Sequence, residues 1–184
     1  MLRSAGVAFE AIPPHVDEDE LKASLLAQKA SPRAIADALA EAKAVKVSAR
    51  RPGALVLGCD QVLSFGKAEM MDKPRSLEEA RQNLNLLAGK EHKLISAAVI
   101  AQNGQPIWRV VDTATLAMRS FSPEFLEDYL AREGEAVLGS VGCYRLEGLG
   151  AQLFSRINGD FFTILGLPLL QVLDYLRERK VLLR

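Results

Sequence analysis

An α/β fold with a mixed β-sheet flanked by helices is what this sequence predicts, and three observations carry the prediction. The run ALVLGCDQVLSF, from Ala54 to Phe65, opens as continuous apolar residues bounded by turn formers, the pattern of a strand buried on both faces of a parallel or mixed sheet. Asn103-Gly104 and Asn158-Gly159 each separate two β-prone runs, a strong hairpin signal. Capped helical stretches alternate with these strands irregularly, without a strict strand–helix–strand repeat. Neither GxGxxG nor a Walker-type loop is present, so a regular dinucleotide-binding or P-loop arrangement is not expected.

Taken in order, the elements follow from local chemistry. The acids from Asp17 to Glu20 favour a helix N-terminus, where the peptide dipoles present positive charge. Ser31 caps a second helix running to about Arg50, with Pro32 in its first turn and Ile35, Leu39, Ala42 and Val45 near one face. Arg51-Pro52-Gly53 stops it. After the Ala54–Phe65 strand, Ser76 and Glu79 form a capping box for a helix from Leu77 to Ala88, and Gly89 ends it. Strands over Lys93–Ala101 and Pro106–Arg119 meet at Asn103-Gly104. Ser122-Pro123-Glu124 opens a short helix that closes near Gly134. Ala151–Ile157 and Phe161–Leu165 read as a second hairpin, and Gly166-Leu167-Pro168 leads into a last amphipathic helix.

Composition narrows the classes of function. The 184 residues suit one or two compact lobes without a long linker, 49% of them are hydrophobic and 25% charged, and 23 Lys and Arg balance 23 Asp and Glu. That zero balance argues against a dedicated nucleic-acid binder, whose affinity comes largely from phosphate neutralisation. It leaves room for a small phosphorylated ligand held by a few local cations. Apolar runs fall short of the roughly 20 residues of a membrane helix, and MLRSAGVAFEA lacks a signal-peptide core. Cys59 and Cys143 have no CxxC spacing and form no disulfide framework. A cytoplasmic protein with no membrane partner is expected.

The candidate chemistry lies in a few carboxylates and lysines. Asp60 follows the apolar run LVLG and is expected at or near the C-terminal end of a buried strand, where ligand sites of α/β sheets concentrate. A carboxylate there can hold a hydrated cation or take a proton from water, although the local pattern equally fits a turn-forming aspartate. Lys73, just before a helix start, can reach a phosphate as a mobile point charge, or be simply solvated. Lys43 sits among alanines, which favour close packing and would project it into a cleft; a helix-surface charge has the same signature. Glu18 in HVDED fits either a metal or a helix N-terminus. Glu147 lies in RLEGLG, whose glycines permit a sharp turn or close approach to a ligand. Its carboxylate can accept two parallel hydrogen bonds from guanine and would attract the positive charge of an N7-methylated base; a solvated loop acid reads the same way. His15 and His92 have no partner at metal-ligand spacing.

Set together, these segments resemble the Maf family of nucleotide pyrophosphatases. The matching pieces are Phe9 to Glu18, Ala38 to Ala44 around Lys43, LGCDQV from Leu57 to Val62, Lys73-Pro74, Leu87-Ala88-Gly89 followed by His92, Glu147-Gly148-Leu149-Gly150, and Gly166-Leu167-Pro168-Leu169. The resemblance covers nearly the whole chain as one Maf-like domain, and each motif is weak while their joint order is specific. It implies a two-lobed architecture with a cleft between the lobes. It assigns Asp60 as catalytic base, Lys43 and Lys73 to phosphates, and Asp60 with Glu18 to a divalent cation, Mg²⁺ or Mn²⁺. Gln61 and Glu147 fall at the positions linked to substrate choice, and their pairing looks like the branch that acts on 7-methyl-GTP. The implied reaction is hydrolysis of the α–β phosphate bond of a nucleoside triphosphate, and dimers in the family imply a homodimer. Two departures stand out. Family members begin with an apolar strand and a Ser-x-Ser-Pro-Arg-Arg phosphate loop, and both are missing before Met1-Leu2, which aligns with the following helix. Asp72 replaces the usual glycine. The missing loop leaves a second expectation open, a nucleotide-binding or regulatory protein without turnover, linked to cell division.

Overall fold

The computed structural model describes residues 1–183. Five strands form one antiparallel sheet in the order β2-β1-β3-β4-β5, with β1 at Val56–Phe65, β2 at Glu69–Met71, β3 at Glu91–Gln102, β4 at Gln105–Met118 and β5 at Phe154–Asn158. The helices that flank it are α1 (Glu18–Ala27), α2 (Pro32–Ser48), α3 (Leu77–Leu87), α4 (Pro123–Glu133), α5 (Phe161–Ile164) and α6 (Leu169–Glu178). The α/β class and the helix-flanked sheet agree with the sequence reading, and the strand directions, expected to be mixed, are antiparallel.

The helices begin where short polar side chains satisfy their free N–H groups. Asp17, Ser31, Ser76, Ser122 and Asp160 each accept a hydrogen bond from the backbone N–H three residues on. Each such cap contributes about 1 kcal/mol. Glu79 completes its box one residue earlier than expected, accepting from the Arg75 N–H at 2.8 Å. The β3–β4 turn is as the dipeptide demands: Asn103 and Gly104 have φ of 52° and 77°, left-handed values suited to a two-residue hairpin.

Two sequence expectations fail here, each for a local reason. The second hairpin does not form. Ala151 to Leu153 lies in a 3₁₀ turn, β5 runs antiparallel to β4 instead, and Phe161–Ile164 is helical. Asp160 decides the last point, because its carboxylate accepts from Thr163 N at 2.8 Å and nucleates a helical turn. The buried stripe of α2 is also rotated. It comprises Ile35, Ala36, Leu39, Ala40, Ala44 and Val47, while Ala42 and Val45 are only half-buried.

The chain divides into two compact units. One holds Met1–Gln61, Ile95–Thr113 and the chain from Asp160; the other holds Val62–Leu94 and Ala114–Gly159. The strands β1, β3 and β4 give part of their length to each. The first unit packs Ala98 and Ile100 of β3 with Leu169, Val172 and Leu176 of α6, and Trp108 stacks on Tyr175 at 4.9 Å between ring centroids. The second buries Leu84, Leu87, Leu116 and Leu153 fully and holds an aromatic group of His92, Tyr144 and Phe154.

His92 Nε2 lies 2.6 Å from the Tyr144 hydroxyl, and its Nδ1 is buried without a hydrogen-bond partner among the described residues. Burial lowers its pKa from 6.5 to about 4. Because the unfolded chain takes up the proton first, stability is whole above pH 6.5, falls as the pH drops towards about 4, and levels off below. The loss across this window amounts to about 3 kcal/mol. Denaturant unfolding at stepped pH should show that slope, and H92Q should flatten it; an unchanged slope would place the acid sensitivity elsewhere.

Candidate active site

The site in the first unit begins with a close packing of helix on strand. A Cβ on Gly58 would lie 2.6 Å from Ala44 N and nearer still to the Ala40 carbonyl oxygen. Only glycine in β1, facing the alanine ridge of α2, lets the two backbones meet at this distance. Arg109 of β4 reinforces the contact from the side, pairing with Asp37 at 2.7 Å and with Glu41.

This approach brings Lys43 of α2 onto Asp60 of β1. The Lys43 ammonium donates to Asp60 Oδ1 at 2.7 Å and lies 2.9 Å from Glu18 Oε2. Exposure falls along the series: 47% for the Glu18 side chain, 18% for Lys43 and 11% for Asp60. Burial works to lower the Lys43 pKa, but the hydrogen bonds to Asp60 and Glu18, with their charges, outweigh it and raise it above the ordinary lysine value. Lys43 therefore stays a cation throughout the neutral range. Neighbouring Cys59 is held as a thiol, its pKa pushed up to about 12, chiefly by burial.

Of the two readings of the HVDED acids, the helix N-terminus is the one seen. Asp17 caps α1, accepting from Glu20 N at 3.0 Å, which frees Glu18 in the first turn to reach Lys43. The placement of Asp60 is corrected. It is the fifth residue of a ten-residue strand rather than at a strand end, because Val62, Leu63 and Ser64 continue the buried run beyond it.

Gln61 points the other way. Alternation along β1 puts Gly58 and Asp60 on the face towards α2 and Gln61 on the reverse face. There its Nε2 donates to Ser96 Oγ at 2.8 Å, Thr163 O at 3.0 Å and Ile164 O at 3.1 Å. Beside Lys43, a cavity of about 590 Å³ is lined by Val7, Ile12, Leu57, Gly58 and Cys59 among others. Its walls are mostly apolar, with Lys43, Arg51 and Glu10 as the charged side chains of the lining.

Lys73 and Glu147 belong to the second unit. Lys73 is exposed, between β2 and α3. Glu147 is 44% exposed and lies 3.6 Å from Arg145 Nε. Gly150 earns its place in that loop by packing against the Arg145 backbone, which a Cβ would strike.

Three carboxylate, histidine or cysteine side chains do not group into a metal cage among the described residues. The pair Glu18 and Asp60 fits a less demanding ion. Both already converge on one positive charge, the Lys43 ammonium, and Mg²⁺ is commonly held by one or two carboxylates with the remaining positions left to phosphates and water. Among the described residues no helix is long and apolar enough to cross a membrane.

Sequence reasoning missed Gly58, Ser96 and Thr163. The signals were present: a glycine inside an apolar strand opposite an Ala-x-x-x-Ala helix face, and a lone hydroxyl in the apolar run of β3.

A family model described as Maf-like protein matches residues 1–179. A nucleoside triphosphate pyrophosphatase of Caulobacter vibrioides is 59% identical over 177 residues, covering 96% of this chain and 88% of that protein. One of Sphingopyxis alaskensis is 50% identical, covering 96% and 89%. Nucleoside triphosphate pyrophosphatase 1 of a Jannaschia species is 51% identical, covering 97% and 90%.

The packing at Gly58 makes a direct prediction. G58A forces backbone apart and should cost about 1–3 kcal/mol in chemical unfolding. An unchanged unfolding midpoint would show that α2 can shift without loss.

Proposed function

The chain belongs to the Maf-like protein family, and on that premise we propose that it is a nucleoside triphosphate pyrophosphatase. It hydrolyses the α–β phosphate bond and yields a nucleoside monophosphate and pyrophosphate. The observation that carries the reading is the Glu18–Lys43–Asp60 cluster: a half-buried cation held between two carboxylates, beside a cavity large enough for part of a nucleotide. The names of its relatives, each matched over most of its length, support the same reaction.

In this mechanism the phosphates draw the Lys43 ammonium towards themselves, which releases Asp60 Oδ1 from its ion pair. Asp60 then takes a proton from the water that attacks the α-phosphorus. The bond from that phosphorus to the bridging oxygen breaks, and pyrophosphate leaves with the electron pair. Lys43 and Lys73 offset the charge that builds on the phosphate oxygens. Glu18 and Asp60 are the residues that would hold a divalent ion, Mg²⁺ or Mn²⁺, which when bound neutralises phosphate charge.

The finer reading is a preference for 7-methyl-GTP. The Glu147 carboxylate suits two parallel N–H donors on a guanine edge and attracts a methylated, positively charged base. Gln61 contributes through its amide oxygen, since its nitrogen is engaged within the fold. Folding as a single catalytic domain and residence in the cytoplasm complete the proposal.

Pyrophosphate release should be measured with Mg²⁺ or Mn²⁺ on GTP, 7-methyl-GTP, UTP, dTTP and CTP. Fastest release from 7-methyl-GTP is expected; equal rates on all five would remove the base preference, and no release from any would remove the activity. D60N should lower kcat by roughly 100-fold or more with little change in KM. A parallel loss of nucleotide affinity would take the role of base away from Asp60.

A further inference from the structure

The reverse face of β1 carries a chain of buried hydrogen bonds that the reaction above does not use. Ser96 of β3 and Thr163 of α5 are both fully buried polar residues. The Ser96 hydroxyl donates to Thr163 O at 2.7 Å, so towards Gln61 Nε2, 2.8 Å away, it can only accept. Thr163 is fixed in turn: its hydroxyl donates to Asp112 Oδ2 at 2.8 Å, and its N–H donates to Asp160 Oδ2 at 2.8 Å.

Three acceptors therefore converge on one amide nitrogen. Turning the amide over would set its oxygen against the Thr163 and Ile164 carbonyls, so the network admits a single orientation of Gln61. A side chain held in this way also holds its own backbone. Asp60 is the next residue along the strand and shares a peptide unit with Gln61. Its carboxylate must meet Lys43 on the opposite face at hydrogen-bond distance. A tether on one face of the strand thus limits the twist that would swing the carboxylate away on the other.

We propose that Ser96 and Thr163 are positioning residues for Asp60, acting through the Gln61 amide. The proposal rests on the reading of Asp60 as the base. It differs from a general role in folding, because its effect on turnover passes through one carboxylate.

The experiment is a double-mutant cycle on pyrophosphate release from the best nucleotide, using the full chain. S96A should lower kcat roughly 3- to 10-fold, the worth of one hydrogen bond, with KM unchanged. S96T, which keeps the hydroxyl, should restore most of the loss. In a D60N background S96A should leave the residual rate unchanged, since the group it positions is gone. T163V, which cuts the Asp112 link, should follow the same pattern and serves if S96A fails to fold. An equal loss in both backgrounds would overturn the proposal and make Ser96 a purely structural residue.

A readout independent of turnover separates this idea from the reaction itself. In ¹⁵N NMR the Lys43 ammonium signal, slow to exchange when paired with Asp60, should broaden in S96A. If the wild-type chain released no pyrophosphate yet this broadening appeared, the reaction would fall while the tether stood. A Lys43 signal identical in both proteins would sink the tether whatever the activity.

Discussion

The contact of Gly58 with Ala40 and Ala44 is the constraint on which the candidate site depends. A lysine side chain can span a gap, but it cannot choose its height along a strand. The missing side chain at Gly58 and the small ones on α2 let backbone meet backbone, and that contact sets the level at which Lys43 meets β1. Two residues further along the same face stands Asp60. Larger side chains at this crossing would push helix and strand apart by more than a hydrogen bond tolerates.

Once the distance is set, electrostatics follows. An ammonium withdrawn from water is costly by itself, and Lys43 remains charged because Asp60 and Glu18 both supply oxygen to it. The carboxylates are graded in exposure, with Asp60 the more enclosed. Arrangements of this kind concentrate at functional sites. The strand that presents Asp60 is itself tied on its other face by the amide of Gln61, so one short piece of β1 carries packing, charge and anchoring together.

Much of this was legible beforehand because it is local. Ser31, Ser76 and Ser122 announce helix starts by a hydrogen bond three residues long, and Asn103-Gly104 announces a turn by its tolerance of positive φ. The same logic applied to Asn158-Gly159 gave the wrong partner. β4 already supplied an edge for β5, and Asp160 drew the following residues into a helix. Asp60 was singled out among the carboxylates but set at or near the end of its strand. An acid after four apolar residues looks like an exit, and a buried acid with a lysine partner in mid-strand looks identical in sequence.

Sequence was therefore sufficient for most of the element types and boundaries and for the balance of charge, all of which depend on local composition and on neighbours a few positions apart. Which residues share one site was a matter for the fold. Glu18, Lys43 and Asp60 stand on three different elements, α1, α2 and β1, and Gln61, Ser96 and Thr163 lie farther apart still along the chain. Their meeting depends on the crossing of α2 over β1 and on the docking of α5 against β3. Periodicity records which face of an element is apolar; it does not record the rotation and height at which two faces lock, because those are set by side-chain volumes on both partners at once.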